Sequence, residues 1–273
     1  MRSLHNSRQG MSIVAGIDIV VEDSEFSWTG GACPQAGIDV EPSSNAEPIH
    51  NLTLRRLLLR NNTGAGIQLP VDPYPYLPGG LPLSIALEDV HVVGANWSAV
   101  NDGCTSAGIG FIVGPMKSIG SISFANCSAS ELPSAGLLVQ GKAQRTIDAK
   151  GKVGRQGAYV VAARLDVRNF TLRHTALRPR EQHGTAESPL ILAAIDRAQY
   201  NWTMGNISLD NLLVIDTLRR PWLSAAVEGP YSVQGPLTDV RGSARVMTPY
   251  KEGCSIDASP TADVRINVSC SAF

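Results

Sequence analysis

The chain lacks the features that mark several common classes of protein. Its 273 residues contain no run of roughly 18 apolar residues, so no membrane-spanning helix is expected. The N-terminal stretch "MRSLHNSRQG" has no apolar core of the kind found in a signal peptide. The net charge of −1 gives no extended basic patch for nucleic acid. We therefore expect neither a transmembrane segment nor a nucleic-acid partner.

Aromatic residues are scarce, at 5%, whereas 26 glycines and 17 prolines predict many turns. The five cysteines include no C-x-x-C or zinc-finger spacing, which leaves no cysteine-based metal site to expect. Cys254 and Cys270 are close enough in sequence to pair, and the odd count leaves at least one free thiol. The cysteines alone do not decide the redox compartment.

Asparagine is concentrated in N-x-S/T sequons. One interpretation is a glycosylated, secreted protein. The other is a repeat that places Asn at turns and Ser or Thr on strands. The eight sequons begin at Asn51, Asn61, Asn96, Asn126, Asn169, Asn201, Asn206 and Asn267.

An eight-residue pattern recurs along the chain, with apolar residues at its positions 1, 3 and 8 and at position 6 in all copies but the first. Such a pattern predicts two short strands joined by a bend that shifts the alternation by one residue. The copies are "IVVEDSEF" from Ile19, "LTLRRLLL" from Leu52, "IALEDVHV" from Ile85, "ISFANCSA" from Ile122, "LDVRNFTL" from Leu165 and "ISLDNLLV" from Ile207.

The bend has its own signature at position 5 of the pattern. Asn and Asp tolerate the left-handed backbone conformation that such a bend requires, whereas Arg56 departs from the trend. Charges of opposite sign at positions 4 and 5 of the first three copies predict a solvated ladder of ion pairs. The residues at position 5 are Asp23, Arg56, Asp89, Asn126, Asn169 and Asn211.

A third strand-like element follows the first four copies: "AGIDV", "AGIQL", "AGIGF" and "AGLLV". Three short strands per repeat predict an all-β fold, a single-stranded right-handed parallel β-helix of about seven coils within one domain, residues 1–273. The repeats are clear over 9–225, and 226–273 is expected to be a less regular coil or cap. A β-sandwich is the alternative architecture. The third strands should form an internal ladder of Ile38, Ile67, Ile109 and Leu137.

Within "GIDVEP", the same register points Asp39 and Glu41 away from the core, on one face of the strand. No basic residue lies opposite them in the neighbouring strands, so they are candidates for acid/base catalysis or for a calcium site. Arg8 is placed to reach the same groove. Gln9 and Gln68 flank the pair and are assigned to substrate binding.

Two insertions lie on the same side of the predicted coils. The loop "PVDPYPYLPGGLP" carries Asp72, Tyr74 and Tyr76, whose aromatic faces suit sugar rings. The loop "WTGGACPQ" leads into the strand that holds Asp39. Insertions on one side of a solenoid commonly line its binding face.

The segments "RQGMSI", "GIDVEP" and "NNTGAGIQL" resemble the right-handed parallel β-helix repeat family, which is related to pectate-lyase-like proteins. The resemblance is specific from about Arg8 to Leu69. It implies an extracellular or cell-surface protein that acts on an acidic polysaccharide as a lyase or a glycoside hydrolase. A lyase of this kind would use Arg8 as base with a cation such as calcium, and a hydrolase would use Asp39 and Glu41.

Two alternatives remain at this stage. The chain could be a non-catalytic glycan-binding or adhesion module, or a truncated inactive homologue, because the third-strand element "QGMSI" arrives so early that N-terminal coils are expected to be missing. We expect a monomer. His91 should be a surface side chain and Cys127 a core thiol, since they occupy outward and inward positions of the repeat.

Overall fold

Parallel strands form two long sheets that run side by side along the chain. A computed structural model describes residues 1–42, 47–71, 81–96, 107–114, 120–142, 146–147, 153–154, 163–177, 188–195, 204–225, 237–258 and 262–273. Within these residues the chain is all-β apart from a 3₁₀ turn at Lys251–Cys254. Both sheets are parallel throughout, an arrangement compatible with a β-helix or solenoid.

The first sheet contains 11 strands, and its longer strands β9 and β19 each pair with two shorter ones on one side. Its strands are β1 Arg2–Leu4, β4 Val20–Ser27, β7 Leu52–Asn62, β9 Leu83–Ala95, β11 Gly120–Ala125, β12 Ser128–Ser130, β16 Arg164–Arg168, β17 Thr171–Arg173, β19 Met204–Ile215, β21 Leu237–Met247 and β23 Val264–Ser271.

The second sheet contains eight strands in simple sequence order. They are β2 Gln9–Ile13, β5 Ala36–Val40, β8 Ile67–Leu69, β10 Phe111–Val113, β13 Leu137–Lys142, β18 Leu190–Ile195, β20 Leu223–Ala225 and β22 Ile256–Ala258. Two minor pairs complete the described strands: β3 Gly16–Ile17 with β6 Ile49–His50, and β14 Thr146–Ile147 with β15 Val153–Gly154.

The predicted repeat is confirmed by the register of the first sheet. Leu52 pairs with Ile85, Ile85 with Ile122, and so on through Leu165 and Ile207, so equivalent positions of successive copies are direct neighbours. The register also runs beyond the copies found in the sequence, because β21 and β23 continue the same sheet to Ser271.

The bend between the two halves of each copy has the expected left-handed backbone. All six position-5 residues have φ between 51° and 57°, including Arg56 at 52°. Arg56 is held there by its side chain, which donates to Glu22 and Asp23 at 2.7–2.8 Å. The predicted ion pairs are thus confirmed between the first and second copies, where the Arg partners lower the pKa of both carboxyls.

Farther along the same column, asparagines replace the charges. Asn211 Nδ2 donates to Asn169 Oδ1 at 2.7 Å, and Asn169 Nδ2 donates to Asn126 Oδ1 at 3.0 Å. Two of these asparagines, Asn126 and Asn169, belong to sequons. Five sequon asparagines have positive φ: Asn51, Asn61, Asn126, Asn169 and Asn206. Turns of the repeat therefore place five of the eight sequon asparagines, as the second interpretation expects.

The interior between the sheets is apolar. Phe111, Phe124 and Phe170 meet edge to face at its centre, with ring centroids 5.4–5.9 Å apart. Cys127 lies in this core as expected, and burial raises the pKa of its thiol to about 11. Such a thiol is chemically inert.

One predicted ladder is wrong at a single position. In the second sheet Ile38 pairs with Ile67, and Ile67 with Phe111 rather than with Ile109. The reason lies in "AGIGF", which contains two glycines. Gly108 forms a turn at φ +70°, while Gly110 takes the stacked position, where a Cβ would lie 2.4 Å from the Gly136 carbonyl oxygen. Ile109 packs instead against Ala65 in a small separate cluster.

The expected disulfide between Cys254 and Cys270 is present, and Cys33 is also disulfide-bonded. Within the part of the chain that the structure describes, no helix has the length and apolar character needed to cross a membrane.

Candidate functional site

The predicted site residues of the first two coils come together on the second sheet. Gln9 lies at the start of β2, Asp39 near the end of β5, and Gln68 in the middle of β8. The register places Ser12, Asp39 and Gln68 in one outward row. Arg8 precedes β2, and Glu41 follows β5, one alternation beyond Asp39.

The side chain of Gln9 joins the two carboxyl groups. Its Nε2 donates to Asp39 Oδ2 at 3.0 Å and to Glu41 Oε1 at 3.1 Å. Because both oxygens accept from one nitrogen, the carboxyls are held against each other. Ser12 adds a longer contact of 3.4 Å to the same oxygen of Glu41.

Arg8 fixes the orientation of this bridge. Its Nη1 donates to Gln9 Oε1 at 3.2 Å, which turns the amide nitrogen of Gln9 towards the carboxyls. Its Nε donates to the Cys33 carbonyl at 3.0 Å, so the loop that enters β5 anchors the guanidinium. The same Nη1 lies 3.9 Å from Glu41 Oε1, an ion pair with Glu41 rather than with Asp39.

The two carboxyls differ sharply in exposure. Asp39 is completely buried although it points away from the core, whereas the side chain of Glu41 is 33% exposed and that of Arg8 is 55% exposed. Ligands can therefore reach Glu41 and Arg8 from solvent. Asp39 lies behind them.

Burial raises the pKa of the Asp39 carboxyl to about 6. Hydrogen bonding from the Gln9 amide works against the rise, and the nearby Glu41 adds to it. Asp39 Oδ1 has no hydrogen-bond partner among the described residues. The Gln68 amide also lowers the pKa, but it does not reach that oxygen at hydrogen-bonding distance. Close to pH 6 the Asp39 carboxyl is therefore about half protonated.

The residues do not fit a calcium site. Calcium takes six to eight oxygen ligands, with several carboxylates among them. Within the described ranges no three His, Cys, Asp or Glu side chains come together to hold a metal ion. Asp39 and Glu41 supply two carboxyls, one of which is buried and readily protonated.

Three residues that the sequence assigns to substrate binding cannot be placed in this site. Asp72, Tyr74 and Tyr76 lie outside the described residues. Sequence reasoning also missed a polar cluster on the first sheet, formed by Asp89, His91 and Ser128. The repeat pattern could have predicted this cluster, because His91 and Ser128 both occupy position 7 of neighbouring copies and pair in the sheet.

Comparisons with known proteins do not identify a family for this chain. No protein-family model matches the chain, and no curated protein matches it.

Proposed function

We propose that the protein is a right-handed parallel β-helix, similar to pectate-lyase-like proteins, that acts outside the cytoplasm on an acidic polysaccharide. Right-handedness is the rule for connections between parallel strands of one sheet. The eight strands of the second sheet support a coil number near the seven expected. The Cys254–Cys270 disulfide supports an oxidising location, since such bonds rarely persist in the cytosol.

The observation that carries the activity is the bridged pair of Asp39 and Glu41. Glycoside hydrolysis needs two carboxyl groups with different proton affinities, one to give a proton and one to take it. Here Glu41 meets solvent, while Asp39 holds a proton behind it in a buried position. In this proposal Asp39 passes its proton to Glu41, and Glu41 passes it to the leaving oxygen as the glycosidic C–O bond breaks. Water then attacks the sugar carbon, and its proton returns through Glu41 to Asp39.

Arg8 provides the preference for acidic sugars. Its guanidinium is exposed at the rim of the pair and is fixed by Cys33 and Gln9. A fixed guanidinium recognises a carboxylate in a planar, two-pronged manner. Arg8 therefore acts as the group that binds a uronate carboxylate. Its two hydrogen bonds orient the guanidinium for binding, so we favour hydrolysis over elimination with Arg8 as base.

A panel of uronate and neutral polysaccharides tests this proposal. Hydrolysis gives new reducing ends without the absorbance of unsaturated uronates, whereas a lyase gives both. We expect Glu41→Gln and Asp39→Asn to lower the rate by at least about 100-fold. The matched control is Glu252→Gln, an exposed carboxylate that pairs with Arg219 and lies in the 3₁₀ turn before β22, the last strand of the second sheet. EDTA should leave the rate unchanged, because the described residues form no calcium site.

The second candidate is a glycan-binding module without turnover. It is favoured by the complete burial of Asp39, which leaves Glu41 as the carboxyl of the pair that a ligand can touch. In that case no substrate is cleaved, polysaccharide binding is retained by Asp39→Asn, and binding is lost in Arg8→Gln. Turnover by the parent protein would exclude this candidate.

A further inference from the structure

A serine, a histidine and an aspartate form a hydrogen-bonded chain on the outward face of the first sheet. Ser128 Oγ lies 2.8 Å from His91 Nδ1, and His91 Nε2 lies 2.9 Å from Asp89 Oδ1. The fold builds this arrangement directly. Asp89 and His91 stand two residues apart on β9, and the register pairs His91 with Ser128 on β12.

The contacts match one tautomer of His91. In that tautomer Nε2 donates to the Asp89 carboxylate, and Nδ1 accepts from the Ser128 hydroxyl. This is the arrangement in which a base activates a serine and an acid orients the base.

The neighbouring residues offer two further parts of a reaction site. Asn126 precedes Ser128 by two residues on the same face, and its Oδ1 accepts from Asn169 Nδ2 at 3.0 Å. Because this bond occupies the amide oxygen of Asn126, its amide nitrogen is the group that we assign to donate to a developing oxyanion. Leu58 and Thr171 flank His91 and Ser128 in the same row of the sheet. Their side chains provide a surface that an acyl group can contact.

The cluster is open to solvent, and this exposure limits which substrates it can select. The side chains of His91 and Asp89 are 43% and 55% exposed, so no narrow pocket selects a large acyl group. Substrates whose ester groups project from a chain or surface would fit such a face better than compact molecules.

We propose that Ser128, His91 and Asp89 form a second, hydrolytic site that cleaves accessible carboxylic esters with small acyl groups. Ser128 Oγ attacks the ester carbonyl, and its proton passes to His91 Nδ1. The ester C–O bond breaks, and the departing alcohol takes that proton. Water then attacks the acyl-serine with His91 as base, which releases the acid and restores Ser128. No oxidant, reductant or metal enters the balance.

This site is independent of the proposed polysaccharide activity, because it lies on the other sheet and shares no residue with Asp39 and Glu41. Its test uses hydrolysis of p-nitrophenyl acetate by the purified full chain. We expect Ser128→Ala and His91→Asn each to lower kcat/KM by at least about 10-fold, the small end of general-base effects at an exposed site. Asp89→Asn keeps the left-handed backbone at φ 56° and should lower kcat by a few-fold, with KM unchanged.

The matched control is His174→Asn. His174 Nδ1 contacts Glu131 Oε1 at 3.0 Å, a histidine–carboxylate pair on the same sheet with no serine in its described hydrogen bonds. Its loss should leave the rate unchanged. A fluorophosphonate probe should also lose fluoride and label the peptide that contains Ser128. The proposal is overturned if Ser128→Ala hydrolyses the ester as fast as the parent, if His174→Asn slows it equally, or if the label falls elsewhere.

Discussion

Two aspartates that point away from the core end in opposite environments. Asp39 lies in the extended strand β5, two residues before Glu41, and Asp89 lies at the left-handed bend of β9, two residues before His91. Asp39 is completely buried, whereas the Asp89 side chain is 55% exposed. Alternation along a strand tells which way a side chain points, but it does not tell whether other parts of the chain cover it.

The difference in cover changes the chemistry of each cluster. At Asp39, burial raises the pKa of the carboxyl and increases the cost of losing a hydrogen bond. The amide of Gln9 therefore positions this cluster. At Asp89, water screens the charge, and the cluster instead depends on register to bring Ser128 to His91. The cluster at Asp39 therefore binds a proton in a buried position, whereas the cluster at Asp89 is a solvent-accessible chain of hydrogen-bond donors and acceptors.

The largest effect is expected at a close approach of neighbouring strands in the second sheet. A Cβ on Gly37 would lie 2.7 Å from the Gly66 carbonyl oxygen, from Asn62 Nδ2 and from Leu59 Cδ2. Gly37→Ala should therefore lower the free energy of unfolding by about 3 kcal/mol or more, because backbone as well as side chains must move. Urea unfolding measures it.

The control for Gly37 is Ser123→Ala, a partly exposed outward position on β11 of the first sheet. It should change stability by less than about 0.5 kcal/mol. Equal losses in the two variants would show that the close approach at Gly37 carries no special cost.

The second effect is a pH dependence specific to the buried cluster. The Asp39 carboxyl has a folded pKa of about 6 against a model value of 3.8, so the native state binds its proton more tightly than the unfolded state. Its contribution to stability is complete below pH 4 and is lost as the pH rises through 6. At 1.36 kcal/mol per pKa unit the loss is on the order of 3 kcal/mol.

Asp39→Asn removes this dependence. The variant should gain stability relative to the parent between pH 4 and pH 7, as measured by urea unfolding at both values. Glu252→Gln should behave with the opposite sign, because Arg219 lowers the pKa of the Glu252 carboxyl and the ionised form is the stabilising one. A difference between Asp39→Asn and the parent that stays constant with pH would contradict the assignment.

A third, smaller change in stability tests the hydrogen bonds that Gln9 donates to Asp39 and Glu41. Gln9→Leu keeps a similar volume but leaves the buried Asp39 without its amide donor. We expect a loss of about 1–3 kcal/mol at pH 7, the usual cost of an unpaired buried polar group, and a smaller loss at pH 4. In Asp39→Asn the same Gln9→Leu change should cost less, since no buried charge remains. Additive losses in the double variant would argue against the bridge.

The sequence was most informative where the repeat is regular. The column from Ile19 to Ile207 and the left-handed bend were predictable, because each depends on local alternation and on Asn or Asp at one position. The register at "AGIGF" was not, since Gly108 and Gly110 are equally good candidates for the stacked position until the neighbouring carbonyls are known. The burial of Asp39 was also beyond reach, because it depends on contacts distant in sequence.

The smallest effect tests whether backbone conformation maintains the exposed column beside Asp89. Asn169 has φ 52° and hydrogen bonds to both Asn126 and Asn211. Asn169→Gly loses the side-chain bonds but suits the left-handed conformation, whereas Asn169→Ala loses the bonds and strains the backbone. The alanine variant should therefore be less stable than the glycine variant by about 1 kcal/mol in thermal or urea unfolding. Equal stabilities would mean that the amide ladder, and not the backbone, determines this corner. Both variants remove the donor to Asn126 Oδ1, so ester hydrolysis at Ser128 should fall in both, whatever their relative stability.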